Sequence, residues 1–166
     1  MDAAPLDAGP LDAETRAAEQ PAHRDEVRLW LRLLTCTTLV EGEVRRRLRA
    51  EFGLTLPRFD LMAQLERAPD GLTLGDLSRR LMVSNGNVTG LVERLAAAGQ
   101  VERVPHPVDR RVVLVRLTQR GRAAFARMAQ AHAGWIGELF EDVSGEEVRS
   151  LLHLLGRLKQ SVRRQR

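Results

Sequence analysis

The sequence predicts a mainly α-helical protein with one small β-hairpin, and two observations lead to this fold class. From residue 25 onward, apolar residues recur at the three- and four-residue spacing of amphipathic helices through most of the chain. The interruption is residues 101–117, where two β-rich runs flank His106-Pro107 and Asp109 in a pattern typical of a hairpin. The content of 43% apolar and 29% charged residues is ordinary for a globular domain.

The first half of the chain divides into a tail and two helices. Residues 1–22 are rich in Ala, Pro and Asp, which predicts a mobile tail with little to bury. A long amphipathic helix is expected over residues 25–51, with Gly53 as its stop. Pro57 suits the first turn of a second helix. The run Ala-Pro-Asp-Gly at 68–71 predicts the turn that ends it.

Residues 73–98 predict two short helices joined by a tight turn. Thr73 suits the cap of the first helix. Ser78, Met82 and Val88 have the relative spacing at which helix-turn-helix units place a small residue, a turn residue and a branched apolar residue. Met82 is a departure, since the turn residue is more often glycine. With the hairpin following directly, this order predicts a winged helix-turn-helix over residues 53–118.

The last third of the chain predicts two further helices. Thr118 suits the cap of the first, and Ser144-Gly-Glu-Glu147 has the spacing of a capping box before the second. The segments 23–52 and 119–162 carry more apolar surface than one small winged domain needs. We therefore expect them to be dimerisation helices that pack against a second copy of the chain.

Composition favours some functional classes and argues against others. The net charge of +4 comprises −5 in residues 1–26, where seven acids face two arginines, and therefore +9 in the remainder. Lys159 is the only lysine, and arginine suits recognition of phosphates and base edges. A glycine-rich phosphate loop and a nucleophile elbow are both missing from the sequence, so no enzyme and no cofactor are expected. The histidines lack paired ligand spacing, which argues against a metal site.

Compartment is predicted from three features of the sequence. Cys36 is the only cysteine and cannot form an internal disulfide, in keeping with a reducing compartment. The sequence shows neither a secretory signal nor an apolar run long enough to span a bilayer. These features predict a cytoplasmic protein that does not enter membranes.

Two exposed surfaces of the predicted winged domain carry side chains suited to double-stranded DNA. Asn can pair bidentately with adenine, Thr offers a hydroxyl and a methyl group to thymine, and a narrow minor groove attracts arginine. Asp109 is expected to orient Arg111 through a charge-assisted bond. The alternatives are that Asn85-Gly86-Asn87 only makes a capped turn, and that the charge marks a non-specific architectural protein. The predicted DNA contacts are Ser84, Asn85, Asn87, Thr89, Arg94, Arg110 and Arg111.

The run AAAGQVERVPHPVDRRVVLVRLTQRG resembles the wing of the MarR family of bacterial repressors, whose signature is Asp-x-Arg before a strand ending in Leu-Thr. Here these residues are Asp109-Arg110-Arg111 and Leu117-Thr118, and the resemblance covers about residues 25–160. It implies an obligate homodimer with interlocked terminal helices, a pseudo-palindromic operator, and an Arg111 that reaches the minor groove. Gly90 departs from the family pattern, in which a larger polar or basic residue is common.

The resemblance also implies that a small anionic aromatic effector binds between the dimer helices and the winged lobe and releases the DNA. The runs RLWLRLLTCTTLVEGEVRRRLR and TLPRFDLMAQLERAPDG are similar to regulators of aromatic-acid catabolism, some of which sense hydroxycinnamoyl-CoA thioesters. Plain core packing is the alternative for each candidate. The candidate pocket residues are Trp30, Cys36, Arg58, Phe59, Met62, His132 and Trp135.

Cys36 raises a second hypothesis, a redox-sensing repressor. A reactive thiol needs a nearby cation or a helix N-terminus. Cys36 instead lies in the middle of a predicted helix, between Thr35 and Thr37. We therefore expect it to be buried and inert.

Overall fold

A computed structural model describes residues 24–165, which form six helices and two strands. The predicted mobile tail over residues 1–22, and His23, lie outside the described residues. This architecture confirms the predicted class of a mainly helical protein with one hairpin. In chain order the elements are α1 (Arg24–Phe52), α2 (Leu56–Glu66), α3 (Leu74–Leu81), α4 (Asn85–Ala97), β1 (Val101–Pro105), β2 (Val113–Leu117), α5 (Gln119–Leu139) and α6 (Gly145–Arg164).

The described residues form two compact units, one extending to Arg122 and the other beginning at Ala123. In the first unit, Gly53 follows the end of α1 and adopts a positive φ of 60°, in agreement with its predicted role as the stop of this helix. Pro57 occupies the first turn of α2, as predicted. Helices α2 to α4 and the hairpin enclose a core of fully buried side chains. They include Leu61, Met62, Leu65, Leu77, Val88, Val92, Leu95, Val115 and Leu117.

The hairpin is antiparallel, with Val101 opposite Leu117 and Pro105 opposite Val113. Its second strand also pairs with the loop between α2 and α3 through a bridge of Leu72 to Val115. Leu72 N–H donates to the Val115 carbonyl at 2.9 Å, and Val115 N–H donates back at 2.8 Å. Gly71 precedes this bridge with φ +100°, and a Cβ there would lie 3.0 Å from the Val115 oxygen. The close approach therefore requires glycine.

The second unit comprises α5 from Ala123 onward and α6. Met128 and Trp135 are its buried side chains, whereas α6 has none. Ser144 and Glu147 form the predicted capping box at the start of α6, and hydrogen bonds from Ser144 lower the pKa of the Glu147 carboxyl. In the described part of the chain, no helix combines the length and apolar character needed to cross a membrane.

Candidate nucleic-acid interface

The helix-turn-helix begins with a complete capping box. The Thr73 hydroxyl accepts from the Asp76 N–H at 3.1 Å, while the Asp76 carboxylate accepts from the Thr73 hydroxyl and backbone. These bonds, together with the nearby Arg79 guanidinium, lower the pKa of Asp76. Such a cap contributes about 1 kcal/mol to helix stability. The start of α3, and with it the approach to the turn, is fixed by local hydrogen bonds.

The turn between α3 and α4 is closed by two residues identified from their spacing. Met82 takes the left-handed conformation (φ 55°, ψ 39°), and its N–H donates to the Ser78 carbonyl. The Ser78 hydroxyl donates to the Val83 carbonyl at 2.5 Å. Ser78 therefore stabilises the turn through a hydrogen bond, whereas its spacing in the sequence predicted only that a small residue occupies this position. Met82 is 90% exposed, so its side chain adds little packing.

The second helix of the motif, α4, buries one face and exposes its first turn. Val88, Val92 and Leu95 are buried, as predicted. The Ser84 side chain caps the helix by accepting from the Asn87 N–H at 3.4 Å. Of the predicted DNA contacts on this segment, Thr89 is half-buried. The contacts that are exposed are Ser84, Asn85, Asn87 and Arg94.

Two details of α4 bear on how it could read bases. The Thr89 hydroxyl donates to the Asn85 carbonyl at 3.0 Å, which leaves its methyl group and the two lone pairs of its oxygen for a partner. Apart from their chain neighbours and the backbone of α4 itself, nothing in the described residues would contact a side chain at Gly86 or Gly90 within 4 Å. The helix surface is therefore open at both glycines. A DNA backbone could approach there without meeting a side chain.

The hairpin tip is a turn that presents two arginines. Val112 N–H donates to the Asp109 carbonyl at 2.9 Å, with Arg110 and Arg111 between them. The Asp109 carboxylate accepts from the Arg111 backbone N–H at 3.0 Å and from its Nε at 3.2 Å. These bonds lower the pKa of Asp109, the bond to the Arg111 side chain being the main cause. Asp109 thus stands in the orienting contact with Arg111 that the sequence suggested.

His106 is the part of this surface that sequence reasoning missed. The sequence pattern predicts a hairpin around His106 but no role for its side chain, whose Nδ1 accepts from the backbone N–H groups of Val108 and Asp109. The available signal was its position, since a side-chain acceptor two residues before a backbone donor is the pattern of an Asx turn. Histidine is not among the residue types usually associated with that turn.

Of the seven candidate pocket residues, the six other than Cys36 occupy different environments. On α2, Phe59 and Met62 are buried, and the Arg58 Nε is shielded from solvent with no hydrogen-bond partner among the described residues. On α5, the rings of His132 and Trp135 meet edge to face with centroids 6.4 Å apart. A cavity of about 770 Å³ lies beneath the wing and another of about 450 Å³ lies on α6. None of the six residues lines either cavity, and their role stays a prediction.

Two residues of α1 are more exposed than expected. Trp30 is 60% exposed, and Cys36 is exposed although burial was predicted for it. The expectation for Cys36 was wrong because only the last part of α1, at Val44 and Leu48, reaches a core within one chain. The apolar residues in the earlier part of α1 do follow helical periodicity. This periodicity does not identify the surface that packs against them.

Comparison with known proteins agrees with this geometry. The sequence profile of the MarR family matches residues 52–112. The chain is 36% identical to the transcriptional activatory protein BadR of Rhodopseudomonas palustris, over 82% of this chain and 79% of that protein. It superposes on a MarR family regulator from Silicibacter pomeroyi with a TM-score of 0.74, 37% identity, and coverage of 87% and 99% of the two chains.

A more distant structure, CouR from Rhodococcus jostii bound to p-coumaroyl-CoA, shares the fold. Its TM-score is 0.69 at 22% identity, with coverage of 78% of this chain and 90% of that one. This chain belongs to the MarR family of DNA-binding transcriptional regulators.

Proposed function

We propose that this regulator is a homodimeric repressor, which binds a pseudo-palindromic operator and releases it when a small aromatic acid or its CoA thioester binds. The observation that carries the proposal is that α6 exposes an apolar stripe, while the winged unit exposes Asn85 and Asn87 on α4 and the two arginines of the hairpin tip. A second copy of the chain would cover the stripe and would supply the second reading surface that a palindrome needs.

The dimer is argued from exposed apolar side chains. On α6, Leu151, Leu155 and Leu158 are 41–45% exposed, and Leu152 is 66% exposed. The early part of α1 exposes Trp30 and other large apolar residues in the same way. Each buried methylene contributes about 0.8 kcal/mol, so leaving such a stripe in water is unfavourable. A symmetric partner that presents the same stripe matches it in length and chemistry.

DNA reading is assigned to two groups of residues. Asn85, Asn87 and Thr89 on α4 are proposed to contact base edges in the major groove, with Arg94 on a phosphate. Arg110 and Arg111 are proposed to enter the neighbouring minor groove, where negative potential is concentrated. In a dimer each group occurs twice. Contacts that repeat about one helical turn apart select a pseudo-palindrome.

The effector class is argued from Arg58. Its shielded Nε has no hydrogen-bond partner among the described residues, and such a donor costs about 1–3 kcal/mol if it stays unpaired. A carboxylate or phosphate would satisfy it. CouR, a protein of the same fold, holds an aryl-CoA thioester. These features support an anionic aromatic effector for this chain.

Oxidation at Cys36 is the second candidate trigger, favoured by one observation, the exposure of its side chain. The two triggers make different demands on the molecule. An aromatic effector requires Arg58 and is indifferent to a serine at position 36. A peroxide signal requires the thiol and is indifferent to Arg58.

The experiment is a footprint on the DNA upstream of the gene, using the full-length protein. We expect one protected pseudo-palindrome, which is lost on adding benzoate, 4-hydroxycinnamate or the CoA thioester of either. Arg58→Ala should abolish the effector response and keep the footprint. Cys36→Ser should change neither. Uniform protection along the DNA would instead indicate an architectural protein, and release by peroxide but not by the aromatic compounds would favour the thiol.

The oligomeric state needs a separate measurement. Light scattering coupled to size-exclusion chromatography should give twice the mass of one 18.6 kDa chain. A monomer at micromolar concentration that still protects both halves of the palindrome would contradict the proposed dimer.

A further inference from the structure

The wing tip contains hydrogen bonds beyond those that orient Arg111. The Nδ1 atom of His106 accepts from the Val108 N–H at 3.2 Å and from the Asp109 N–H at 3.3 Å. The backbone N–H of His106 donates to the Val112 carbonyl at 2.8 Å and closes the hairpin. The imidazole therefore sits inside the loop and binds the two residues that lead into Arg110.

These contacts define the chemical state of the ring. An imidazole nitrogen accepts a hydrogen bond only through a free lone pair, so Nδ1 carries no proton and the ring is neutral with its proton on Nε2. In the imidazolium form both nitrogens are donors. Two backbone N–H groups would then face a third N–H. Protonation of Nδ1 would therefore remove both of these hydrogen bonds.

The influence of His106 extends along the tip to the arginine. His106 holds the backbone of Asp109, and the Asp109 carboxylate in turn holds the backbone and the Nε of Arg111. We propose that His106 is a positioning residue of the wing, whose neutral ring shapes the tip that presents Arg111 and whose protonation loosens it, so that operator selectivity falls in acid. This inference rests on the proposed contact between the wing and DNA.

The charged groups around the ring come from three parts of the fold. Asp109 lies on the hairpin itself, Arg116 on β2, and Asp70 and Asp76 on the α2–α3 loop and α3; all of them line the cavity beneath the wing together with His106. Asp109, Asp76 and Arg116 already have ion-pair partners on their own elements or on the paired strand.

Protonation of His106 has the opposite effect on nonspecific electrostatic attraction between the wing and DNA. A positive His106 adds a cation near the DNA backbone, and this raises affinity for any sequence. Loosening of the tip lowers affinity only for a duplex whose binding requires Arg111 at a defined position, such as the operator. The informative quantity is therefore the ratio of operator affinity to the affinity for a scrambled duplex of equal length, measured at constant ionic strength.

Substitutions at position 106 separate acceptor geometry from charge. In His106→Asn the Oδ1 atom occupies the place of Nδ1 and accepts from the same N–H groups without titrating. His106→Ala removes the acceptor. Histidines ordinarily gain a proton between about pH 8 and pH 5, which sets the range to be scanned.

The experiment measures both affinities by fluorescence anisotropy between pH 8 and pH 5.5, with the duplex protected in the footprint as operator. For the wild type we expect the ratio to fall at least fivefold. His106→Asn should match the wild type at pH 8 and stay flat across the range. His106→Ala should be at least fivefold lower throughout. A His106→Asn ratio that falls like the wild type would assign the titration elsewhere and overturn the proposal.

Arg111→Ala distinguishes failure of this inference from failure of the proposed function. If Arg111→Ala leaves operator affinity unchanged, the wing does not contact DNA and both fail. If Arg111→Ala weakens binding while His106→Ala behaves as the wild type, only the role of His106 is overturned. Amide hydrogen exchange of the DNA-free protein gives an independent readout. Val108 and Asp109 should exchange about tenfold faster in His106→Ala than in His106→Asn, and equal rates would overturn the proposal.

Discussion

Replacing Met82 with glycine should stabilise this regulator, because Met82 ends α3 in the left-handed conformation that glycine adopts without strain. That conformation costs a non-glycine residue about 1–2 kcal/mol. The Met82 side chain is 90% exposed, so its loss removes little packing. Glycine increases the entropy of the unfolded chain at a cost of about 0.5–1 kcal/mol. The expected net gain in the free energy of unfolding is about 0.5–1 kcal/mol.

Thermal unfolding followed by circular dichroism measures this gain, at one fixed protein concentration because a dimer melts in a concentration-dependent way. For a chain of this length the gain corresponds to a rise in Tm of about 1–4 °C. Arg80→Gly is the matched control, an exposed residue of the same helix with ordinary helical backbone. It should lower Tm, since glycine inside a helix costs about 0.5–1 kcal/mol.

Gly71→Ala tests the opposite substitution, in which a glycine with positive φ is replaced by a residue with a side chain. Gly71 has φ +100°, and its added Cβ would approach the Val115 carbonyl oxygen to 3.0 Å, so Tm should fall. If Met82→Gly lowered Tm as much as Arg80→Gly does, the left-handed conformation would not be costly at this turn. The reasoning from backbone strain would then be refuted.

Three other substitutions test DNA binding, the dimer and an ion pair. Arg111→Ala should weaken operator binding at least about tenfold and reduce the slope of log affinity against log salt concentration by about 1 per protomer. Anisotropy at several salt concentrations measures both, and an unchanged slope would show that Arg111 does not contact DNA. Leu155→Asp should place a charge in the α6 stripe and split or unfold the dimer in light scattering; a folded monomer with full operator affinity would contradict the dimer. Hydrogen bonds from Arg46 and Arg47 lower the pKa of Glu43 from 4.5 to about 2. The Tm difference between wild type and Glu43→Gln should therefore be full above pH 4.5 and vanish as the pH falls to about 2, and a pH-independent difference would exclude the ion pairs as its cause.

Local signals in the sequence predicted the positions of the helices. Gly53, the Thr73 capping box and the Ser144 capping box each act within four residues, so their geometry follows from the residue types. The hairpin was predicted for the same reason, since two β-rich runs separated by Pro and Asp have few other ways to pair. The contact between Asp109 and Arg111 joins residues two positions apart, so it could also be predicted from the sequence.

The exposure of α1 and the role of His106 could not be predicted in the same way. Helical periodicity shows that Cys36 and Trp30 lie on a helix, but the surface that covers them is not encoded near them in the sequence. The acceptor role of His106 depends on how the tip bends, which a propensity for turns does not specify. The proposed effector residues are harder still to predict, because they come from α1, α2 and α5, which are distant in the chain.

The bridge between Leu72 and Val115 has a mechanical consequence. Two hydrogen bonds join the wing to the loop that leads into α3, so the hairpin is tied to the segment from which the helix-turn-helix begins. The bridge therefore resists movement of the wing away from the start of α3. In the proposed dimer, release of DNA would then depend on the distance between the two winged units rather than on movement of the wing within one of them. A change of a few ångströms in that distance would move both units out of register with the helical repeat of DNA.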